Sequence, residues 1–112
     1  MDGQSEFATD AAFRRVVTAL LEELLEQADD IDADIEPRLT SGNLSVTFED
    51  GAVLMLSQQT PTHELWLSAN YMAWHFRSVQ GTWLERDSNE PMFAVLSRLM
   101  SDKLSIPVHF EP

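Results

Sequence analysis

No cysteine occurs anywhere in the sequence. Disulfides, thiolate nucleophiles, zinc–cysteine sites and persulfide chemistry are therefore excluded within this chain, and the composition fits a reducing compartment. Basic residues are scarce. Seven Lys and Arg stand against 19 Asp and Glu, for a formal net charge of −12. Phosphate backbones require a basic surface, so the balance argues against nucleic acid and points to cations or basic protein surfaces as partners. Only four glycines are present, and they form neither a phosphate loop nor a dinucleotide fingerprint. There is no G-x-S-x-G elbow, and no H-x-x-x-H or H-E-x-x-H pattern joins His63, His75 and His109. No apolar run approaches the roughly 20 residues of a membrane span. The N-terminal MDGQSEF is acidic and polar, unlike a secretory signal or an Arg-rich transit peptide. These absences lead to the expectation of a cytoplasmic protein with no membrane contact.

What is present suffices for one domain over residues 1–112 with a real core: 44% of residues are hydrophobic, including six Phe and three Trp. Phe13, Val17, Leu20, Leu24 and Ala28 recur at helical spacing, widened by Val16 and Leu21. This predicts a helix from about residue 5 to 29, roughly 36 Å long, with Ser5 as its N-cap. The period then changes. In GNLSVTFEDGAVLML, residues 42–56, Leu44, Val46 and Phe48 alternate with polar residues, and Asp50-Gly51 between two apolar runs signals a hairpin. ELWLS, AWHFRSV and WLER read as further strands, the last two joined by the QGT turn. Pro37, in DIEPRL, suits an edge strand. A second helix carries the stripe Met92, Leu96, Leu99 and Met100 with Phe93 beside it, capped by Ser88 or Asn89, and Pro107 lies beyond its end. VHF, residues 108–110, is expected to pack beside the sheet. The fold class is α+β: two terminal helices on one face of an antiparallel meander of about five or six strands, an α-β sandwich whose other face is left to solvent or a partner.

The stretch EELLEQADDIDADIE, residues 22–36, holds Glu22, Glu23, Glu26, Asp29, Asp30, Asp32, Asp34 and Glu36 without a single basic residue. A solvated helix face is the plain account of a charge run. Three rules are broken here, however. Carboxylates in the last turns oppose the helix macrodipole, at roughly 0.3–1 kcal/mol each. Glu22/Glu26 and Glu26/Asp30 are like-charge i,i+4 pairs, unfavourable by roughly 0.2–0.5 kcal/mol each. Solubility alone is served better by interspersed signs. Local rules broken together mark a site that something else compensates, and cations or a basic partner are the natural candidates. An EF-hand is excluded, because Ile35 stands where its glycine is needed and Ser41 where its bidentate Glu is needed. An open array of oxygen donors suits weak, many-site binding of hard or borderline cations, ferric iron among them. Elsewhere, if Leu65 and Leu67 face the core, alternation puts Trp66 on the outer sheet face, where Trp is a frequent interface anchor.

Residues 42–68, GNLSVTFEDGAVLMLSQQTPTHELWLS, resemble the bacterial frataxins of the CyaY type, with QTP at 59–61 and LWLS at 65–68 the most specific portion. SEF at 5–7, Glu22-Glu23, HF at 75–76, TW at 82–83 and the C-terminal helix fall in the same order. The resemblance implies two helices on an antiparallel sheet and a non-enzymatic role in iron–sulfur cluster assembly. It implies weak ferrous and ferric iron binding along an acidic ridge, which maps onto the eight carboxylates from Glu22 to Glu36. It implies docking on a cysteine desulfurase and its scaffold protein through a sheet surface that maps onto Gln59, Trp66 and His75; the field of the clustered acids leads to the further expectation that the ridge, Glu22 and Glu26 included, docks there too. A monomer that iron can drive into oligomers is expected. Three positions depart from the family pattern: Gln27 stands for a frequent acid, Ala8 for a histidine found in some relatives, and Arg77 for a common acid. Two other functions compete. Iron storage with ferroxidase activity needs a di-iron device such as Glu-x-x-His on a helix, which the sequence lacks. An acidic protein-binding module would bind metal only incidentally.

Overall fold

The computed structural model describes residues 5–112. The reading of MDGQSEF as neither signal nor transit sequence falls partly on residues 1–4, which lie outside the described residues. Helix α1 (Asp10–Asp29) is followed by strands β1 (Ile35–Thr40), β2 (Asn43–Phe48), β3 (Val53–Gln59), β4 (Glu64–Ala69), β5 (Met72–Val79) and β6 (Thr82–Glu85), then helix α2 (Met92–Leu104). All strand pairs are antiparallel, and strand order equals chain order. β1, with Pro37, is an edge as expected, and β6 is the other.

Alternation fixes what faces the helices. Leu44, Val46, Leu54, Leu56, Leu65, Leu67 and Phe76 are buried, and Phe13, Val17, Leu21, Leu24 and Ala28 of α1 meet them together with Met92, Val95, Leu96 and Met100 of α2. Burying a side chain of this size contributes about 1.5–3 kcal/mol. Two members of the expected α1 stripe depart from it, Val16 at 43% exposed and Leu20 only half-buried, whereas Leu21 is fully buried as expected, which rotates the apolar stripe slightly about the helix axis.

The ends differ from the sequence reading for physical reasons. α1 starts five residues later than expected and spans about 30 Å. Its cap is Thr9, whose hydroxyl accepts from the Ala12 N–H at 3.0 Å. Ser5 is not a cap, because SEF is used as a clasp. The Ser5 hydroxyl lies 2.7 Å from His63 Nδ1, and His63 Nε2 lies 2.7 Å from Asp10. The Glu6 carboxylate accepts from the N–H groups of Gln80 and Gly81, at 2.7 and 3.2 Å, and from the Ser78 hydroxyl. Phe7 packs against Phe13, His63 and Trp83. Neither Ser88 nor Asn89 caps α2, whose N-cap position is Pro91 with no side-chain bond. The tail does not lie beside the sheet alone but is tied to both helices. The Phe110 N–H donates to Ser97 Oγ at 2.8 Å, the Val108 N–H donates to Ser101 Oγ at 2.8 Å, and Gln27 of α1 both donates to the Glu111 carbonyl (2.7 Å) and accepts from its N–H (3.1 Å).

Glu85, only 7% exposed at the end of β6, organises the connection to α2. Its carboxylate accepts from the backbone N–H groups of His75 (3.2 Å), Asp87 (2.8 Å) and Ser88 (2.9 Å). Burial alone would raise its pKa, but the N–H groups of Ser88, Asp87 and His75 outweigh burial and hold the carboxyl below its ordinary value of 4.5. A depressed folded pKa means that this contribution is complete above the unfolded value and is lost as pH falls through the folded one. Glu85→Ala leaves three donors unpaired and is expected to cost about 2–3 kcal/mol at neutral pH. Urea unfolding between pH 7 and pH 3 checks this: the deficit relative to wild type should shrink below about pH 4.5.

Candidate functional site

The acidic ridge occupies the last two turns of α1, the α1–β1 connection and the first residues of β1. Asp30 forms the C-cap of α1, and no basic residue stands in its last turn. All eight carboxylates named from the sequence are exposed. Among the described residues the ridge has one internal ion pair, Glu36 with Arg38 at 3.2 Å. Glu23 additionally accepts from the Gln27 amide at 3.3 Å. Glu22, Glu26, Asp29, Asp30, Asp32 and Asp34 have no cationic side chain within ion-pair distance among the described residues. Nor do any three Asp, Glu or His side chains among them converge closely enough to hold one metal ion. The ridge is a line of separated carboxylates, not a cage.

The structure adds two residues that the sequence reading left out. Pairing of Ile35 with Phe48 and Glu36 with Thr47 carries the register on to place Glu49 across from Asp34, and both line one shallow surface depression with Glu36. The hairpin register between β1 and β2 is the signal that could have found Glu49. At the other border, a cleft of about 320 Å³ is lined by Glu23, Gln27, Asp30, His109, Glu111 and Pro112. His109 is thus the histidine brought to the ridge, by a tail whose course no local sequence pattern reveals. Gln27 is suited to hold that tail because an amide both donates and accepts; a carboxylate there would face the Glu111 carbonyl with no proton to offer.

The ridge turns the sheet edge at β1 and meets the outer face. Cross-strand register sets Thr40, Asn43, Ser57, Trp66 and His75 in one row over that face, with Gln59, Glu64 and Arg77 in the next. The three sheet residues named from the sequence, Gln59, Trp66 and His75, are therefore brought together. Trp66 is 38% exposed while its neighbours Leu65 and Leu67 are buried. Its ring meets His75 edge-on, with centroids 4.7 Å apart. His63 is elsewhere, taken up in the clasp and stacked on Phe13 at 4.8 Å.

Charge reversal within the ridge tests whether it is under electrostatic stress. Glu26→Lys removes both like-charge i,i+4 contacts and puts a cation near the helix C-terminus. It is expected to stabilise the fold by about 1 kcal/mol, raising Tm by about 4 °C in low salt. Added NaCl should raise the wild-type Tm and narrow the gap, since screening acts over about 10 Å at 0.1 M. A wild-type Tm that falls as salt is added from low values contradicts this account.

The family described as "Frataxin-like domain" matches residues 6–106. A protein named iron-sulfur cluster assembly protein CyaY, from Paraburkholderia xenovorans, is 33% identical over 103 residues, covering 92% of this chain and 98% of the relative. Among solved structures, frataxin from Psychromonas ingrahamii superposes with a TM-score of 0.86 at 22% identity, over 93% of this chain and 99% of the other. Trimeric frataxin from Saccharomyces cerevisiae, described as complexed with ferrous iron, gives a TM-score of 0.60 at 16% identity, over 94% of this chain and 93% of the other. At these identities the two structural likenesses speak for the fold.

Proposed function

The chain belongs to the frataxin-like family, and from that premise we propose that it is a non-enzymatic cytoplasmic factor of iron–sulfur cluster assembly that docks on a cysteine desulfurase and its scaffold protein and modulates their output. One observation carries the reading: a ridge of exposed acids, of which Glu36 alone is ion-paired among the described residues, runs directly into a sheet face bearing a half-exposed tryptophan. The ridge supplies a long-range field for a basic patch, which speeds encounter. Trp66, with Gln59 and His75 beside it, supplies the desolvated anchor at short range. Iron binds along the same ridge, weakly and at several overlapping places, because no three donors among the described residues converge on one ion. Glu22, Glu23, Glu26, Asp29, Asp30, Asp32, Asp34 and Glu36 are its ligands in this reading, and iron carried there is cargo handed onward. The working form is a monomer, with iron-driven oligomers a secondary state. The yeast frataxin structure, a trimer complexed with ferrous iron, supports the iron-binding and oligomer parts of this reading.

The separated carboxylates also favour a second reading, an acidic docking module whose metal binding is incidental. Chelation separates the two: docking that is unchanged by a chelator supports the module, and docking strengthened by ferrous iron supports the adaptor.

Reversal of Glu22, Glu26 and Asp29 to Lys is expected to leave the fold intact, slow association with the desulfurase by at least about tenfold at low salt, and flatten or invert its salt dependence. Weak iron binding should fall in parallel. Stopped-flow association at low and high salt, with metal chelated, provides the measurement; equal rates for both proteins at both salts remove the ridge from the docking surface.

Trp66→Ala addresses the other half of the surface. Its stability cost should fall well short of the roughly 3–5 kcal/mol of a core tryptophan, while desulfurase binding weakens by about 2 kcal/mol. Chemical unfolding and a binding titration on the same preparation check it. A core-sized stability loss with unaltered binding defeats the anchor assignment.

A further inference from the structure

A buried carboxylate is out of place on the open face of a sheet. Glu64 belongs to the same outward set as Trp66, yet it is 7% exposed against 38% for the tryptophan. Both of its oxygens are engaged. Oε1 accepts from the Trp66 indole N–H at 3.0 Å, and Oε2 lies 3.6 Å from Arg86 Nη1. Arg77 stands directly across from it on β5. Glu64 is thus ion-paired with Arg86 from beyond β6, with a second arginine in register on the neighbouring strand.

The consequence falls on the indole. An exposed tryptophan on a strand is free to rotate about two side-chain bonds. Here the N–H edge is held by a carboxylate two residues back on the same strand, and the ring abuts His75 from β5 at a 66° interplanar angle. Restraint from two sides leaves one orientation. An anchor fixed before encounter avoids the ordering cost that a mobile one incurs on binding. Arg86 offsets the Glu64 charge, so the surface beside the tryptophan differs from the acidic ridge that begins at Glu36 on β1.

We propose that Glu64 is a positioning residue that holds the Trp66 indole in its docking orientation, with Arg86 holding Glu64 in turn. This rests on the docking role proposed above for Trp66, and the test separates the two. The Trp66 indole N–H is assigned in a ¹H–¹⁵N spectrum by its disappearance in Trp66→Phe. Its hydrogen exchange is then followed in wild type, Glu64→Ala and Glu64→Gln, with Glu64→Leu replacing the alanine variant if the latter does not fold. Loss of the carboxylate should accelerate exchange by about tenfold, whereas Gln, whose side-chain oxygen still accepts, should stay within about twofold. Binding to purified cysteine desulfurase should weaken about three- to tenfold in Glu64→Ala and little in Glu64→Gln. Placed on a Trp66→Ala background, Glu64→Ala should add less than about twofold, the signature of action through the ring. Unchanged indole exchange in Glu64→Ala, or equal weakening on both backgrounds, overturns the proposal. If Trp66→Ala itself binds as tightly as wild type, the docking role fails, and the exchange measurement still decides whether Glu64 fixes the ring.

Discussion

Two helices can cover only one face of a six-stranded sheet. That constraint governs the rest of the molecule. Period-2 alternation sends Leu44, Val46, Leu54, Leu56, Leu65, Leu67 and Phe76 toward α1 and α2, and it necessarily sends Trp66, His75 and Arg77 the other way. Because the meander is strictly sequential, no crossover connection is available to shield the second face. The chain instead leaves that face partly polar and partly apolar, with Val53, Met55, Trp66 and Val79 among its exposed side chains. The ridge follows from the same arrangement, since α1 must end near the edge strand it precedes, and its last carboxylates continue onto that strand.

The acids of α1 sit where helix physics disfavours them. Their effect on stability is unfavourable, and the core must offset it. At an exposed site each such term is small, so a domain with this core tolerates the sum. Proteins commonly give up local stability where a surface must attract something else. The contrast with Glu85 is instructive. One buried carboxylate with three backbone donors belongs to the fold, whereas eight exposed ones without such donors belong to the surface.

Much of this was legible in the residues. The alternation in NLSVTF, the Asp50-Gly51 hairpin, the edge position of Pro37 and the outward Trp66 all follow from local periodicity, and local periodicity is what short-range sterics enforce. The ridge was legible because charge needs no fold to be counted. What escaped depends on contacts between distant segments. Ser5 has the right chemistry for a helix cap, but His63 lies 58 residues away in sequence and claims it. Glu6 reads as one more acid until the β5–β6 turn presents its N–H groups. The bond from Trp66 to Glu64 spans only two residues, yet the burial of Glu64 depends on Arg86 and the neighbouring strands. The β4–β5 turn falls in the short loop read between ELWLS and AWHFRSV, but its conformation was not legible: Asn70 and Tyr71 both adopt positive φ, at 54° and 62°, and a tyrosine gives no local sign of it.

The sequential meander also sets an order of assembly. Each strand pairs with the one synthesised just before it, so most sheet contacts close short loops, and short loops form quickly. The bond from Glu6 to Gly81 is of another kind, joining residues 75 apart in the chain. It can form only after the last hairpin exists to receive it. Being exposed and polar, it adds little to the stability of the compact state. The N-terminal clasp is therefore the late step on the way in and the early one on the way out: a seam that opens ahead of the body it fastens, releasing the start of α1 and the Phe7 edge of the core while the six strands remain paired.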